Sequence, residues 1–241
     1  MNRAEFEFRG KQFRLVSPDT QMLNAGIIRF VTEGLARRLE KNIPGPVRRI
    51  LDVGASIGHY TLLFHEIWPE AEIWAIEPSS RSFQYLMANT GHIPNVRHIP
   101  LAAGEATYTH ALAMPSQAQK SWMNNPEGNC GIMSLYGDSD NLRENVPVVR
   151  LDDLIDSCDF IKIDTEGYEE KVILGAERLL RESRPALHVE FVRVNQEIAG
   201  GSLPKLADLV GSYGYVPTEV LHHDVIFLPR EKVEAINALR G

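Results

Sequence analysis

The chain has 241 residues, 44% hydrophobic and 24% charged, with a formal net charge of -7, values that suit one large globular domain, or one domain with decorations, built on a sizeable core. No basic tract offsets the acidic balance, which argues against nucleic acid or an anionic membrane as partner. Cys130 and Cys158 are the two cysteines and form no Cys-x-x-Cys spacing, so free thiols in a reducing compartment are expected rather than a disulfide or zinc framework.

Residues 1–14 alternate charged and apolar side chains without the apolar run of a signal peptide, and no run approaches the roughly 20 residues of a membrane span. A cytoplasmic protein is expected. Glu5-Phe-Glu-Phe-Arg9 and Gln12-Phe-Arg-Leu-Val16 alternate around Gly10-Lys11 and predict a β-hairpin. Ile27, Ile28, Val31, Leu35 and Leu39 recur at helical spacing within 22–41, and Pro44-Gly45-Pro46 ends that helix. The hairpin and helix have two readings, a homodimer contact or a cap on the sheet.

From residue 48 strands and helices alternate. Strands are predicted at 48–53, 71–76, 96–101, 160–164 and 185–191, and helices at 60–67, 80–89, 169–182 and 203–213. Extra strands at 107–113 and 146–151 flank a polar Gly/Asn-rich segment, 114–145, long enough to be a lid or a substrate-side insertion. An antiparallel pair at 216–221 and 225–228 closes the pattern. The fold expected is α/β, a doubly wound, Rossmann-like, mostly parallel seven-stranded sheet. The division expected is 1–46 as extension, 47–231 as cofactor-binding domain and 232–241 as tail.

The turn Asp52-Val-Gly54-Ala-Ser-Ile-Gly58 follows the first core strand, and Glu77-Pro78 follows the second. Gly54 stands where the strand turns sharply, and Gly58 lets the next helix start close to the sheet or a ligand approach the backbone. A dinucleotide fingerprint sets its first two glycines two apart; here they are four apart, and an acid precedes the first. A carboxylate at that place repels a diphosphate but suits the ammonium of an amino-acid-bearing cofactor. Glu77 is placed to accept hydrogen bonds from two ribose hydroxyls. Adenosyl plus a zwitterionic amino acid describes S-adenosylmethionine.

Asp52, Glu77, Asp164 and Glu190 all end strands, so they meet along one crevice. For Asp164 and Glu166 the alternative is capping of helix 169–182. Four ordered motifs then carry a resemblance: Asp-Val-Gly-Ala-Ser-Ile-Gly with Tyr60-Thr-Leu; Ile76-Glu-Pro; Val148-Val-Arg-Leu-Asp-Asp-Leu154; and Ile161-Lys-Ile-Asp-Thr-Glu-Gly-Tyr-Glu169. Together they resemble the FkbM-type methyltransferases over roughly residues 25–192, with Ser56 where that family commonly has Asn and His59 before Tyr60 as departures. The resemblance implies a class I methyltransferase fold, S-adenosylmethionine as donor and O-methylation of a hydroxyl on a sugar, small molecule or natural product. Cofactor contacts are expected at Asp52, Gly54, Ala55, Ser56, Gly58 and Tyr60. Others are expected at Glu77, Pro78, Ala103 and Asp164.

Methyl transfer to an alcohol needs in-line alignment and a base within hydrogen-bond reach. Asp164 is the first choice to line the methyl site, with Glu166 and Glu190 next. His188 is a candidate base, although its place inside a strand between Leu187 and Val189 favours a packed structural role. Asp164 with Glu166 could hold a divalent cation; no third ligand is identifiable, and no metal is assigned. His59 and His65 share no helical face, and His222-His223 read as a solvated turn. Trp122 and Tyr136 either stack on a planar or sugar substrate or pack the long segment onto the body. A nicotinamide-dependent oxidoreductase and a non-catalytic cofactor-binding module are the alternatives; binding of NADH in place of the methyl donor identifies the first, and absence of any donor turnover the second.

Overall fold

The computed structural model describes residues 2–18, 25–43, 45–114, 133–138, 143–221 and 223–240, with the backbone alone at 25–33, 221, 239 and 240. Strands β1 (Asn2–Phe8) and β2 (Lys11–Ser17) form the expected antiparallel hairpin. Arg9 and Gly10 join them with φ of 51° and 76°, the doubly left-handed turn whose twist matches the flanking strands. Helix α1 (Ala25–Asn42) follows and buries Leu35 and Leu39; the side chains of Ile27, Ile28 and Val31 lie outside the described residues.

Alternation then begins with β3 (Arg49–Val53), α2 (His59–Ile67), β4 (Glu72–Ile76), α3 (Ser80–Thr90) and β5 (Val96–Ile99). After β6 (Ala102–Ala103), β7 (Tyr108–Ala113), β8 (Arg143–Val149) and the short α4 (Leu151–Leu154), it resumes with β9 (Phe160–Ile163), α5 (Glu169–Leu174) and β10 (Ala186–Glu190). The chain ends through α6 (Arg193–Ile198), α7 (Leu203–Ser212), β11 (Tyr215–Leu221), β12 (Asp224–Pro229) and α8 (Arg230–Arg240).

The main sheet has seven strands in the order β11-β12-β10-β9-β3-β4-β5. Five are parallel, and β12 runs antiparallel to both β10 and β11. Successive side chains of a strand face opposite ways: Ile50 joins a core with Leu62, Phe64 and Phe160, whereas Leu51 joins a second core with Ile161, Val172 and Leu187. Each fully buried side chain of this kind stabilises the fold by about 1.5–3 kcal/mol. Strand order reverses between β3 and β9, so a crevice opens outside their carboxyl ends. No helix among the described residues is long and apolar enough to cross a membrane.

The flanking strands form a separate three-stranded sheet, β6-β8-β7, which packs Leu112, Val146 and Val148 against Tyr168. Most of the segment expected as a lid, 115–132 and 139–142, lies outside the described residues, and Trp122 and Cys130 with it; so does His222. Tyr136 is described, its ring 5.1 Å from that of Tyr168, which packs it onto the body.

Two elements differ from expectation. The helix expected over 169–182 stops at Leu174 and resumes as a π-helical turn, Leu179–Ser183. A Cβ at Gly175 would lie 1.9 Å from the Gly104 carbonyl oxygen, so the chain is pinned there. Asp152 then accepts hydrogen bonds from the backbone N–H of Arg178 (2.9 Å) and Leu179 (3.0 Å), capping the new turn. The residues expected as a tail fold into α8, which packs Val233 and Ile236 on the core while Glu231 pairs with Arg184 at 2.7 Å.

The hairpin packs Phe6, Phe8 and Leu15 into the core and is tied to α3 by one amide. Asn89, on α3, accepts from Val16 N (2.9 Å) and donates to Val16 O (3.0 Å) and Ile57 O (2.7 Å). A segment remote in sequence is thereby tied to the turn after β3.

Candidate active site

The turn after β3 is built by close backbone approach. Gly54 has φ +78°, and a Cβ there would lie 1.8 Å from the Asp164 carbonyl oxygen. Gly54 N and Ala55 N both donate to Ile76 O, at 2.9 and 3.0 Å, which joins the ends of β3 and β4. Gly58, at φ +88°, was expected to face the sheet or a ligand. Its near neighbours are instead on α3: a Cβ would meet Leu86 Cδ1 at 2.8 Å and Thr90 Cγ2 at 3.0 Å. Gly58→Ala is therefore expected to lower stability by about 1–3 kcal/mol, through a left-handed backbone and overpacking. Urea unfolding checks this; an unchanged midpoint would mean that α3 yields freely.

Glu77, at the end of β4, closes the turn. Its Oε2 accepts from Ser56 N (2.8 Å) and its Oε1 from Ser79 N (2.9 Å). Each carboxylate oxygen has two acceptor sites, so one on each remains for a ligand. Burial raises the Glu77 pKa to about 7, against the two backbone hydrogen bonds. Beside it, Ser56 Oγ is buried without a hydrogen-bond partner among the described residues. Next to this corner lies a small, partly open and mostly apolar pocket walled by Val53, Gly54, Pro78, Ala103, Leu135 and Tyr168.

Asp52 was expected to face an ammonium group, and the structure turns it inward. Its side chain has no exposed surface; Oδ2 accepts from Thr61 Oγ1 at 2.6 Å, and Oδ1 lies 3.7 Å from Lys162 Nζ. Burial raises its pKa, with Lys162 opposing. Lys162 is aligned with Asp52 across β3 and β9 and is 2% exposed. Its Nζ donates to Gly54 O at 3.1 Å, pairs with Asp164 Oδ2 at 3.1 Å and lies 4.5 Å from the centre of the Tyr60 ring. Burial would discharge an amine in that position; Asp164 and Asp52 outweigh it and hold the pKa above the ordinary lysine value. Tyr60, expected among the cofactor contacts, is thus the aromatic lid of this ion pair. Lys162 joins the turn after β3 to the acids after β9.

Those acids sit on a strained loop. Glu166 has φ 55° and Gly167 φ 108°, and Glu169 holds them there. The Glu169 Oε1 accepts from Thr165 N (2.8 Å), Thr165 Oγ1 (2.9 Å) and Gly167 N (3.3 Å), while Oε2 accepts from Gln196. So Glu169 holds the loop that leads into α5, and the N-cap residue of that helix, Tyr168, makes no side-chain capping hydrogen bond. Asp164, Glu166 and Glu190 converge, each with one oxygen within 4.8 Å of the others. Asn195 Nδ2 donates to Glu166 and Glu190, at 3.1 Å each. Burial, then Asp164 and Glu166, hold the Glu190 carboxyl well above the usual range.

His188 is placed one register step inside this rim. It is 1% exposed, its Nε2 is 3.2 Å from Asp224 Oδ2 and its ring meets Tyr60 edge-on at 5.9 Å. That packing fits the structural role better than that of a proton acceptor for an incoming ligand. His59 stacks beside Tyr60, and burial, then Lys162, lowers its pKa to about 4.

The profile of the methyltransferase FkbM domain matches residues 52–217, more than half of the chain. The chain belongs to the FkbM methyltransferase family. Among solved structures it is similar to the methyltransferase FkbM from Methylobacillus flagellatus KT, with 19% identity and a TM-score of 0.53, over 78% of this chain and 45% of that one. It therefore spans less than half of that protein's length. It is also similar to Aeropyrum pernix fibrillarin in complex with natively bound S-adenosyl-L-methionine, with 14% identity and a TM-score of 0.50, over 94% of this chain and 81% of that one. At such identities these likenesses show the fold, that of class I methyltransferases. None of the curated proteins matches the sequence.

For an FkbM methyltransferase, the rim therefore comes from the family's four motifs, in which sequence reasoning gave Lys162 and Glu169 no role, together with Glu190 and with Asn195, which sequence reasoning did not single out. Lys162 carried a readable signal, a lone charge inside the apolar strand Phe160-Ile-Lys-Ile163, since lysine is almost never fully buried unless paired. Asn195 carried none, because its place depends on where α6 docks.

Proposed function

We propose that this FkbM methyltransferase moves a methyl group from S-adenosylmethionine to a hydroxyl oxygen of a small molecule or glycan. The observation that supports the reading is the Lys162 bridge: one buried cation between the Gly54 turn and the carboxylate of Asp164, the acid that begins the cluster with Glu166 and Glu190. The residues fit the donor: the Glu77 carboxylate has acceptor sites for two ribose hydroxyls, Ser56 Oγ is a buried hydroxyl with no partner among the described residues, and the walls beside them are apolar. When bound, S-adenosylmethionine supplies an electrophilic methyl carbon on a sulfonium. The chain's part is to orient the acceptor against Asp164 and to take the hydroxyl proton into the Asp164–Glu166–Glu190 cluster. A net charge of -7 and an acidic rim favour a neutral polyol over a nucleic acid.

Calorimetry with the methyl donor, NADH as the rival ligand, tests the cofactor; a labelled methyl group followed into a panel of hydroxylated acceptors tests the reaction. NADH binding without donor binding would overturn both.

Glu77→Ala is expected to weaken donor binding about tenfold or more, because hydrogen bonds to a charged group contribute about 1.5–3 kcal/mol. The pH dependence has a definite sign. Ribose hydroxyls favour the carboxylate, and Glu77 ionises near pH 7 in the free protein. Affinity should therefore rise from pH 6 to pH 8 and then level, and Glu77→Gln should remove that part of the slope. A slope unchanged in the Gln variant would take Glu77 out of the ribose site.

A further inference from the structure

The pocket beside the Glu77 corner is smaller than the base that follows a ribose held there. Its volume is about 30 Å³, room for one or two waters and far too little for a purine. If the donor binds at this corner, a wall has to give way.

Most of the walls are fixed. Val53, Ile76, Ala102, Ala103 and Leu112 lie on strands of the two sheets, and Gly54 is locked against the Asp164 carbonyl. Tyr168 is buried, its hydroxyl hydrogen-bonded to Tyr108. Leu135 is different, because it lies outside every strand, in a turn over 134–137 that Gly137 N closes by donating to Ser134 O at 3.1 Å. An isolated bridge holds the turn: Ser134 exchanges two backbone hydrogen bonds with Ala113, at 2.9 and 3.1 Å. Ser134 Oγ also donates to Glu166 O at 2.8 Å, and Met133 Sδ accepts from Ser79 Oγ at 3.4 Å.

Those two side-chain contacts show where the stretch runs. Ser79 follows β4 and Glu166 follows β9, and β3 lies between these strands in the sheet. Residues 133–137 therefore cross the carboxyl end of β3 and the Gly54 turn. Leu135, 6% exposed, lines the pocket from that side.

We propose that residues 133–137 form a strap over the donor's base, with Leu135 as a side chain that touches the purine and the Ser134 hydroxyl as the latch. The strap lifts to admit the base and settles back on it. The reading rests on the methyl donor occupying the Glu77 corner. Entry and release then both pass through the open form, so the latch sets their rates more than it sets the affinity. The latch acceptor is the carbonyl of Glu166, so the same hydrogen bond joins the roof of the donor pocket to the loop that carries the acids.

The experiment mixes the full chain with tritium-labelled S-adenosylmethionine. Rapid filtration follows uptake, then loss into excess unlabelled donor. Ser134→Ala is expected to raise both rate constants about threefold to tenfold, the worth of one hydrogen bond, with Kd held within about twofold. Donor uptake by Ser134→Ala where the wild-type chain takes up none supports the latch equally. Leu135→Ala is expected to speed entry and release as well, and it replaces Ser134→Ala if circular dichroism shows that variant unfolded. Faster release alone, with Kd weakened to match, means that Ser134 only supports the bound state, and it overturns the latch. Rates unchanged in both variants overturn the strap and leave the donor site standing. No uptake by the wild-type chain or either variant removes the donor site itself, and the strap with it.

Discussion

Asp164→Asn is expected to lower turnover by about 10²–10⁴-fold, the usual contribution of a positioned proton acceptor, while donor affinity changes by no more than severalfold. Asp164 contributes to the donor corner through its backbone, whose carbonyl faces Gly54 and whose N–H donates to Val53 O at 3.1 Å, and the amide keeps both. What the variant loses is the negative charge beside Lys162 and within the acid cluster. Steady-state methyl transfer and calorimetry on the same preparation separate the two effects. Turnover near the wild-type rate would remove Asp164 from the mechanism, whatever the acceptor.

Lys162→Met should be the most destabilising single change at the rim. It strands Asp52, which has no exposed surface, and leaves Asp164 without its ion-pair partner. Removing one member of a buried pair costs about 3–5 kcal/mol, mostly because an uncompensated charge stays behind. Asp52→Asn in the same chain should recover part of the loss, so the double variant is expected to be more stable than the sum of the two single effects predicts. The folded lysine pKa lies above the ordinary value, so this contribution is fully present below about pH 10 and is lost only at higher pH. The variant also loses the charge that opposes the burial-driven rise of the Asp52 pKa, so the difference in urea midpoint between wild type and variant should grow from pH 6 to pH 9. A strictly additive pair would mean that Asp52 and Lys162 do not depend on each other.

Much of the framework could be read from the chain because its signals are local. Gly10, the alternation around it and the apolar runs ending in Asp52, Glu77, Asp164 and Glu190 each state a turn or a strand within a few residues. The seven-stranded, mostly parallel sheet follows from those runs, and the family from the four motifs that resemble it. What escaped was set by contacts across the fold. The break after Leu174 depends on the Gly104 carbonyl, some 70 residues earlier in the chain, meeting Gly175. The inward turn of Asp52 depends on Lys162, aligned with it one strand away. Gly58 was rightly marked as a place of close approach, but sequence spacing does not say which neighbour approaches. The pairing of Glu190 with Glu166 is of the same kind, since it needs α6 to deliver Asn195.

The Asn89 amide has a consequence for where the working unit begins. The match to the family's domain starts at residue 52, yet a chain cut there would lose Val16, which exchanges two hydrogen bonds with Asn89. The same side chain holds the Ile57 carbonyl, immediately before Gly58. A truncated protein would thus keep every motif residue while the donor-side loop lost the anchor of its clamp. Residues 2–17 act as an outrigger: through Asn89 they steady the turn that follows β3.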